Sequence, residues 1–338
     1  MEKSPSNSQE EYSLEKAILI ESKWGRLNVL KERLKYPHNI NYQDVETGST
    51  ALILASGEGH IDVVKELLKA GANPNIQNQN SDTALLMASS ENHIDVVKEL
   101  LKAGANLDLQ NQVNETALFI ASGEGYIDIV KELLNAGANP NILAQESETA
   151  LIVASMNKKL DVVIELLKST ANLDLQDNDG DTALLIASRN GNTNIVKEIL
   201  KSNANLDLQD SDGHTALIIA SRNEKINTVK EILKSKAKLD LQDNDGDTAL
   251  LCAVINNDDE IIKLLLEAGA DTNITNNDNQ SVYTYDPDFE ENFLSSVAIG
   301  KGGKRRKSLK KRKSLKKRKS LKKRKSLKKR KSLRKENL

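Results

Sequence analysis

The chain has 338 residues, an overall charge of −1, 38% hydrophobic residues and only 3% aromatics. Its core must therefore be built from Leu, Ile, Val and Ala, and a single cysteine, Cys252, excludes an internal disulfide and points to a reducing compartment. The balanced charge hides a division: residues 301–338 hold 23 of the 48 Lys/Arg and one of the 49 Asp/Glu, a net +22, which leaves −23 on residues 1–300.

Residues 1–12 are polar, lack the apolar stretch of a signal peptide and are expected to be disordered. No apolar run approaches the length of a membrane span. Ala17, Ile18 and Leu19 open an atypical first unit, in which Trp24-Gly25-Arg26-Leu27 replaces a Gly-His-Ile turn; it reads as an N-terminal cap. From there the triplet Thr-Ala-Leu starts at Thr50, Thr83, Thr116, Thr149, Thr182, Thr215 and Thr248, each 33 residues after the last. A fixed period of this size marks a solenoid, in which each unit packs only on its neighbours and a long surface replaces an enclosed pocket.

The unit at Thr83 shows the physics. Residues 78–82 are polar and turn-like, and Thr83 is placed to cap a short helix carrying Leu85 and Ala88 on one face. Residues 90–93 break that helix. A second helix follows over 94–102, with Ile94, Val97, Leu100 and Leu101 expected on its buried stripe and Gly104 as a left-handed stop. Residues 105–109 lead out as an extended arm.

Two short helices and a polar hairpin at this period resemble the ankyrin repeat. The family signature Thr-Pro-Leu-His-x-Ala appears here as Thr-Ala-Leu-Leu-Met-Ala (83–88) and Thr-Ala-Leu-Ile-Ile-Ala (215–220). Gly59-His60-Ile61-Asp62-Val63-Val64-Lys65-Glu66-Leu67-Leu68 matches the downstream half. Ala for Pro is harmless in a helix; losing the His removes a family hydrogen bond and is expected to loosen the hairpins. The resemblance implies an all-α ankyrin-repeat solenoid of helix-turn-helix units with hairpin loops over residues 13–280. Repeats fall near 13–46, 47–79, 80–112, 113–145, 146–178, 179–211, 212–244 and 245–277. A degenerate cap is expected over 281–299, with Phe289, Phe293 and Leu294 covering the last unit, followed by a disordered Lys/Arg-rich tail over 300–338. Thr170, Asn203 and Lys236 replace the stop glycine found at 71, 104, 137 and 269, so units five to seven are expected to be the least stable.

Residues 177–181 and 243–247 look like fragments of a calcium loop. The flanking positions where an EF-hand needs oxygen ligands are Leu175 and Ile186, and Leu241 and Cys252, so a tight turn with Gly at its positive-φ position is expected instead. His38, His60, His93 and His214 have no second ligand at metal spacing. No nucleophile elbow, phosphate loop or dinucleotide fingerprint occurs. The expectation is a non-enzymatic chain with no cofactor or metal.

Partners of the ankyrin family lie along the concave face made by hairpin tips and first helices. Carried over by position, the first unit gives Gln79, Asn80, Asp82 and Glu91. The next two give Gln112, Val113, Glu115 and Glu124, then Gln145, Glu146, Glu148 and Met156. Asn178, Asp179, Asp181 and Arg189 follow; then Ser211, Asp212, His214 and Arg222; then Asn244, Asp245, Asp247 and Ile255. Taken one by one these are ordinary solvated tips. Their summed negative charge favours a basic protein partner and salt-sensitive binding to a monomer.

The tail repeats Lys-Lys-Arg-Lys-Ser-Leu with leucines six apart, which scatter around a helix and make no apolar stripe. Lys304, Arg305, Arg306 and Lys307, then Lys310, Lys311, Arg312 and Lys313, resemble monopartite nuclear import signals and imply an import receptor and a nuclear location. Sequence-blind binding of DNA or RNA through counterion release is an alternative; anionic membrane is another, with no amphipathic helix to support it, and a low-complexity expansion without function is a fourth. Ser308, Ser314, Ser320, Ser326 and Ser332 each follow basic residues and are candidates for phosphorylation that would cancel the charge. Opposite charges also predict that the tail folds back on the repeats and releases with salt.

Overall fold

The structure, a computed structural model, describes residues 13–294. The expectations for 1–12, for the Leu294 side chain and for the basic tail, with its import and phosphorylation candidates, fall outside the described residues. All regular structure among the described residues is helical. The pairs are α1 (Leu14–Lys23) with α2 (Leu27–Arg33), α3 (Ala51–Gly57) with α4 (Ile61–Lys69), α5 (Ala84–Ser90) with α6 (Ile94–Lys102), and α7 (Ala117–Glu124) with α8 (Ile127–Asn135). They continue as α9 (Ala150–Met156) with α10 (Leu160–Leu167), α11 (Ala183–Arg189) with α12 (Thr193–Lys201), α13 (Ala216–Arg222) with α14 (Ile226–Lys234), and α15 (Ala249–Asn256) with α16 (Asp259–Ala268). A last turn, α17, spans Val282–Tyr285.

Each first helix begins the same way. All seven threonines are extended, and each accepts a hydrogen bond from the backbone N–H three residues on, such as Leu86 N–H to Thr83 Oγ1 at 3.2 Å. A cap of this kind contributes about 1 kcal/mol and fixes where the helix starts. The alanines that follow, such as Ala88, Ala121 and Ala187, are fully buried, so neighbouring first helices approach closely. First helices pack on first helices, second on second, and each pair packs internally, giving two layers with a continuous aliphatic core. In α6 the buried stripe is Val96, Val97 and Leu100. The expected Ile94 and Leu101 are only half-buried, because a second helix meets its neighbours along a narrow stripe and these two flank it.

The ends of the second helices come in two kinds. Gly71, Gly104, Gly137 and Gly269 adopt positive φ, and the following alanine N–H bonds the carbonyl five residues back, as in Ala105 to Leu100 at 3.0 Å. Asn203 and Lys236 take the same left-handed conformation at φ 61° and 59° without glycine, and this closing bond is not made at Ala204 or Ala237. After α12 the Ser202 hydroxyl instead donates to the Glu198 carbonyl at 3.3 Å. Thr170 stays out of the left-handed region; α10 ends one residue early, and Ser169 closes it through its hydroxyl and the Leu166 carbonyl.

Polar side chains tie one unit to the next. Gln43, Gln77, Gln110, Gln176, Gln209 and Gln242 each donate both to their own hairpin and to a backbone carbonyl of the next, as Gln209 Nε2 does to the Gln242 carbonyl at 2.9 Å. Leu143 interrupts this column and is exposed. Hairpin backbones add a second tie, for example Ser211 N–H to Asp179 O at 2.9 Å, and this one is missing between Val113 and Gln145. A column of serines, including Ser89, Ser122, Ser188 and Ser221, is fully buried with hydroxyls that find no partner. At the C-terminal side, Ser281 starts α17 with a reciprocal capping box to Thr284, and fully buried Phe289 meets Tyr283 edge-on at 5.8 Å between centroids. The chain divides into residues 1–289 and 290–338; in the second part, Glu290–Leu294 forms one π-helical turn in which Phe293 is buried.

Candidate partner-binding face

The hairpins and the ends of the first helices share one side of the repeats. Three tiers of side chains stand there. The hairpin tips form the outermost: Gln79, Asn80, Gln112, Val113, Gln145, Glu146, Asn178, Asp179, Ser211, Asp212, Asn244 and Asp245 are all exposed. At the far end of each first helix lie Glu91, Glu124, Met156 and Arg189, also exposed, with Arg222 and Ile255 half-buried. Between them, immediately before each capping threonine, sit Asp82, Glu115, Glu148, His214 and Asp247, half-buried, and Asp181, buried.

The turn expected at 177–181 and 243–247 forms. Gly180 and Gly246 take φ 77° and 80°, and a Cβ on Gly180 would stand 2.8 Å from the Ser211 nitrogen of the next hairpin. The first residue of these hairpins, Ala144 excepted, holds the turn by its side chain, as Asp210 Oδ1 accepts from the His214 N–H at 2.8 Å. Its second oxygen is then free to face the groove.

That second oxygen creates a network along the C-terminal repeats. Arg189 bonds both Asp181 and, at 2.9 Å, Asp210 of the next hairpin. His214 lies 3.1 Å from Asp210 through Nδ1 and 3.7 Å from Asp243 through Nε2. Arg222 bonds Asp243 at 2.5 Å and lies 3.9 Å from Asp247. Burial pushes the Asp181 carboxyl above its usual range, opposed by Arg189. Burial likewise raises Asp247, opposed chiefly by Asn276. Asp210 and Asp243 were not among the residues expected in this face. The signal for them was present: each arginine stands 21 residues before its acid, at the same place in successive 33-residue units.

The N-terminal acids lack such cations. Burial raises the Asp82 carboxyl, with Asn78 and Asn80 acting the other way. Glu115 accepts from the Asn111 amide at 3.0 Å. Burial, then the charges of Asp177, Glu146 and Glu115, raise Glu148.

Asp243, Asp247 and Cys252 bring three ligand-type atoms within 4.8 Å of one another. Arg222 already sits among them, 3.8 Å from the sulfur, and burial pushes the Cys252 thiol up to about 11. A thiol held protonated beside a guanidinium suits a buried ion pair and not a metal. In the second-helix layer an open depression of about 630 Å³ is lined by Thr193, Asn227, Lys230, Glu231 and Leu264. Among the described residues no helix is long and apolar enough to cross a membrane.

A search of curated proteins finds no match. The family model for ankyrin repeats matches residues 17–111, 52–144, 117–210 and 190–276. Ankyrin repeats are protein-interaction modules and as a rule not enzymes, so the paired helices carry a scaffold for protein partners. With the 33-residue period, the threonine-capped helix pairs and this match in agreement, the chain belongs to the ankyrin-repeat family.

Proposed function

We propose that the chain is a non-enzymatic adaptor that holds a basic protein along its hairpin face and is directed to a nucleus by the basic segment beginning at Lys304. The observation that carries the first half is the run of Asp82, Glu115 and Glu148, repeated at 33-residue spacing on an otherwise polar face and left without a cation. Like charges at regular spacing attract a partner of opposite charge and fix its register. The second half rests on sequence: Lys304, Arg305, Arg306 and Lys307 with the Lys-Lys-Arg-Lys copies after them. A reporter carrying residues 300–338 tests it. Entry into nuclei that stops when the import receptor is blocked supports the reading; a reporter that stays in the cytoplasm removes it. The same +22 charge favours a second reading, in which the tail grips DNA or RNA backbones. Retention of the reporter on nucleic acid, lost steeply between about 50 and 200 mM salt, marks that alternative.

A further inference from the structure

Each first helix turns one mid-helix side chain toward the hairpin face. In units three to five these are Met87, Ile120 and Val153; in units six to eight they are Ile186, Ile219 and Cys252. The two sets differ in what covers them. The covering residue stands 30 positions earlier, at the end of the preceding first helix. Arg222 lies 3.8 Å from the Cys252 sulfur, and Cys252 is buried. Arg189 and Met156 hold the same place relative to Ile219 and Ile186, which are also buried. In the earlier units that place holds Gly57, Ser90 and Gly123. A Cβ at Gly57 would stand 3.2 Å from Met87 Cε, and one at Gly123 would stand 3.2 Å from Val153 Cγ2, so the adjacency persists and only the cover is missing. Met87, Ile120 and Val153 are accordingly only half-buried. Acids stand on both sides of this uncovered aliphatic strip. On the hairpin side, the Asp247 and Cys252 ligand atoms lie within 4.8 Å of each other, and Asp82, Glu115 and Glu148 hold the Asp247 place in the earlier units. On the other side, the helix ends carry exposed Glu58, Glu91 and Glu124.

We propose that this strip seats an amphipathic α-helix of a basic partner, with the helix's apolar stripe on Met87, Ile120 and Val153 and its lysines and arginines against the acids on either side. This rests on the reading of the hairpin face as the binding surface and names the partner's conformation and chemistry. Apolar floor and acidic walls together select such a helix: the floor takes up the apolar stripe, and the walls attract the charges that border it. Width fits. Asp82 and Glu91, like Glu115 and Glu124, are nine residues apart, which is about 13 Å along a helix axis, and a helix with its side chains is about 10–12 Å across. Spacing fits as well. Stacked helices stand about 8–10 Å apart. Residues seven apart on a partner helix lie about 10.5 Å apart on nearly one side, so apolar residues at that interval meet the three strip residues in turn. A β-strand repeats one face every 6.5–7 Å or about that, and falls out of step by the second unit. A polyproline helix keeps step at about 9 Å per turn, but its three residues per turn offer one narrow row where an α-helix lays a broad stripe.

The probe is a labelled peptide of three heptads with leucine at a and d, lysine at e and g, and alanine or glutamine elsewhere, titrated against the full chain by fluorescence anisotropy at about 50 and about 500 mM salt. A peptide of the same composition in scrambled order and one with a proline in the middle heptad are the controls. The ordered peptide should bind about tenfold more tightly than either and keep part of its affinity at the higher salt, where the scrambled one loses its own. Ser90→Arg places over Ile120 the group that Arg222 places over Cys252. It should weaken the ordered peptide by about tenfold, while Val113→Arg, which adds the same charge at an exposed hairpin tip, should weaken it by under about threefold. Circular dichroism and melting show that both variants keep the fold. If the scrambled or the proline peptide binds as tightly as the ordered one, or if the two arginine variants have equal effects, no helix docks on the strip, and the reading of a basic-partner face stands without it. If no peptide binds even at the lower salt, the face does not take basic segments, and both readings fall.

Discussion

The stretch from α3 to α8 and the stretch from α11 to α14 use one repeat and hold together differently. In the first, glycine ends each second helix and a closing bond follows it; the hairpins turn on Ser81, Asn114 and Ser147, all at positive φ. In the second, glycine has moved to the hairpins, at 180 and 213, and Asn203 and Lys236 end the helices without the closing bond. The charges divide similarly. Acids before α5, α7 and α9 face no arginine, whereas Asp181, Asp210 and Asp243 are cross-linked by Arg189 and Arg222. A repeat array can thus strengthen its joints with ion pairs where its helix ends are weak, and keep a charged surface open where its helix ends are strong.

The sharpest way to break this comparison is to remove a cross-link. Arg222→Ala leaves the Asp243 side chain, 1% exposed, without its guanidinium. A loss of about 3–5 kcal/mol is expected in urea denaturation, against under about 1 kcal/mol for Met156→Ala at the equivalent exposed place. Equal effects would mean that the network does not stabilise the C-terminal repeats. Next come the helix ends. Lys236→Gly should stabilise, and Gly104→Ala, where no atom lies within 4 Å of the new Cβ, should destabilise, each by about 1–2 kcal/mol of backbone strain. Hydrogen exchange should then show the amides at the end of α14 slowing in the first variant and those of α6 quickening in the second.

Ser122→Ala and Ser221→Ala probe what the two stretches share. Both hydroxyls are fully buried and unpartnered, so both changes should be stabilising by about 1 kcal/mol, with melting temperatures moving alike. A gain in only one stretch would show that the other hydroxyl is satisfied. The smallest effect is a pH dependence. Glu148 is raised above its ordinary value of 4.5, chiefly by burial, so the native state holds its proton more tightly than the unfolded chain does. Its contribution is fully present below the unfolded value and is lost as pH rises through the folded one. Glu148→Gln should therefore stabilise at pH 7 by less than about 1 kcal/mol, and the gain should vanish below about pH 4. A gain that persists at low pH would assign the effect to packing.

The repeat itself was legible because threonine caps, alanine contacts and a stripe of branched residues recur at fixed spacing, and each has a local physical cause. Second helices were placed well, though Ile94 and Leu101 were credited with burial that depends on how closely neighbouring helices stand. The glycine substitutions at 170, 203 and 236 were visible, but one sequence position does not reveal that Thr170 shortens α10 while Asn203 and Lys236 keep the left-handed turn. Exposed tip residues were recognisable from their type. The ion network was missed because each arginine ends a first helix and its acid opens the hairpin 21 residues later, and only the packing of the intervening second helix brings the two together. Aligning successive units and asking which charges recur at a fixed offset from each helix end would have found Asp210 and Asp243.

Leu143 gives the array a grain. The glutamine stitches run without a break up to the hairpin at 144–148, and resume at Gln176 beyond it, and the adjoining backbone bond from Gln145 to Val113 is missing too. The two gaps fall on opposite sides of that hairpin: the Gln110 stitch still holds it to the unit before, and the Asn178 N–H to Glu146 O bond still holds it to the unit after. Because a unit is held only by its neighbours, this hairpin is tied by half a joint on each side, and its amides should exchange ahead of those in the hairpins around it.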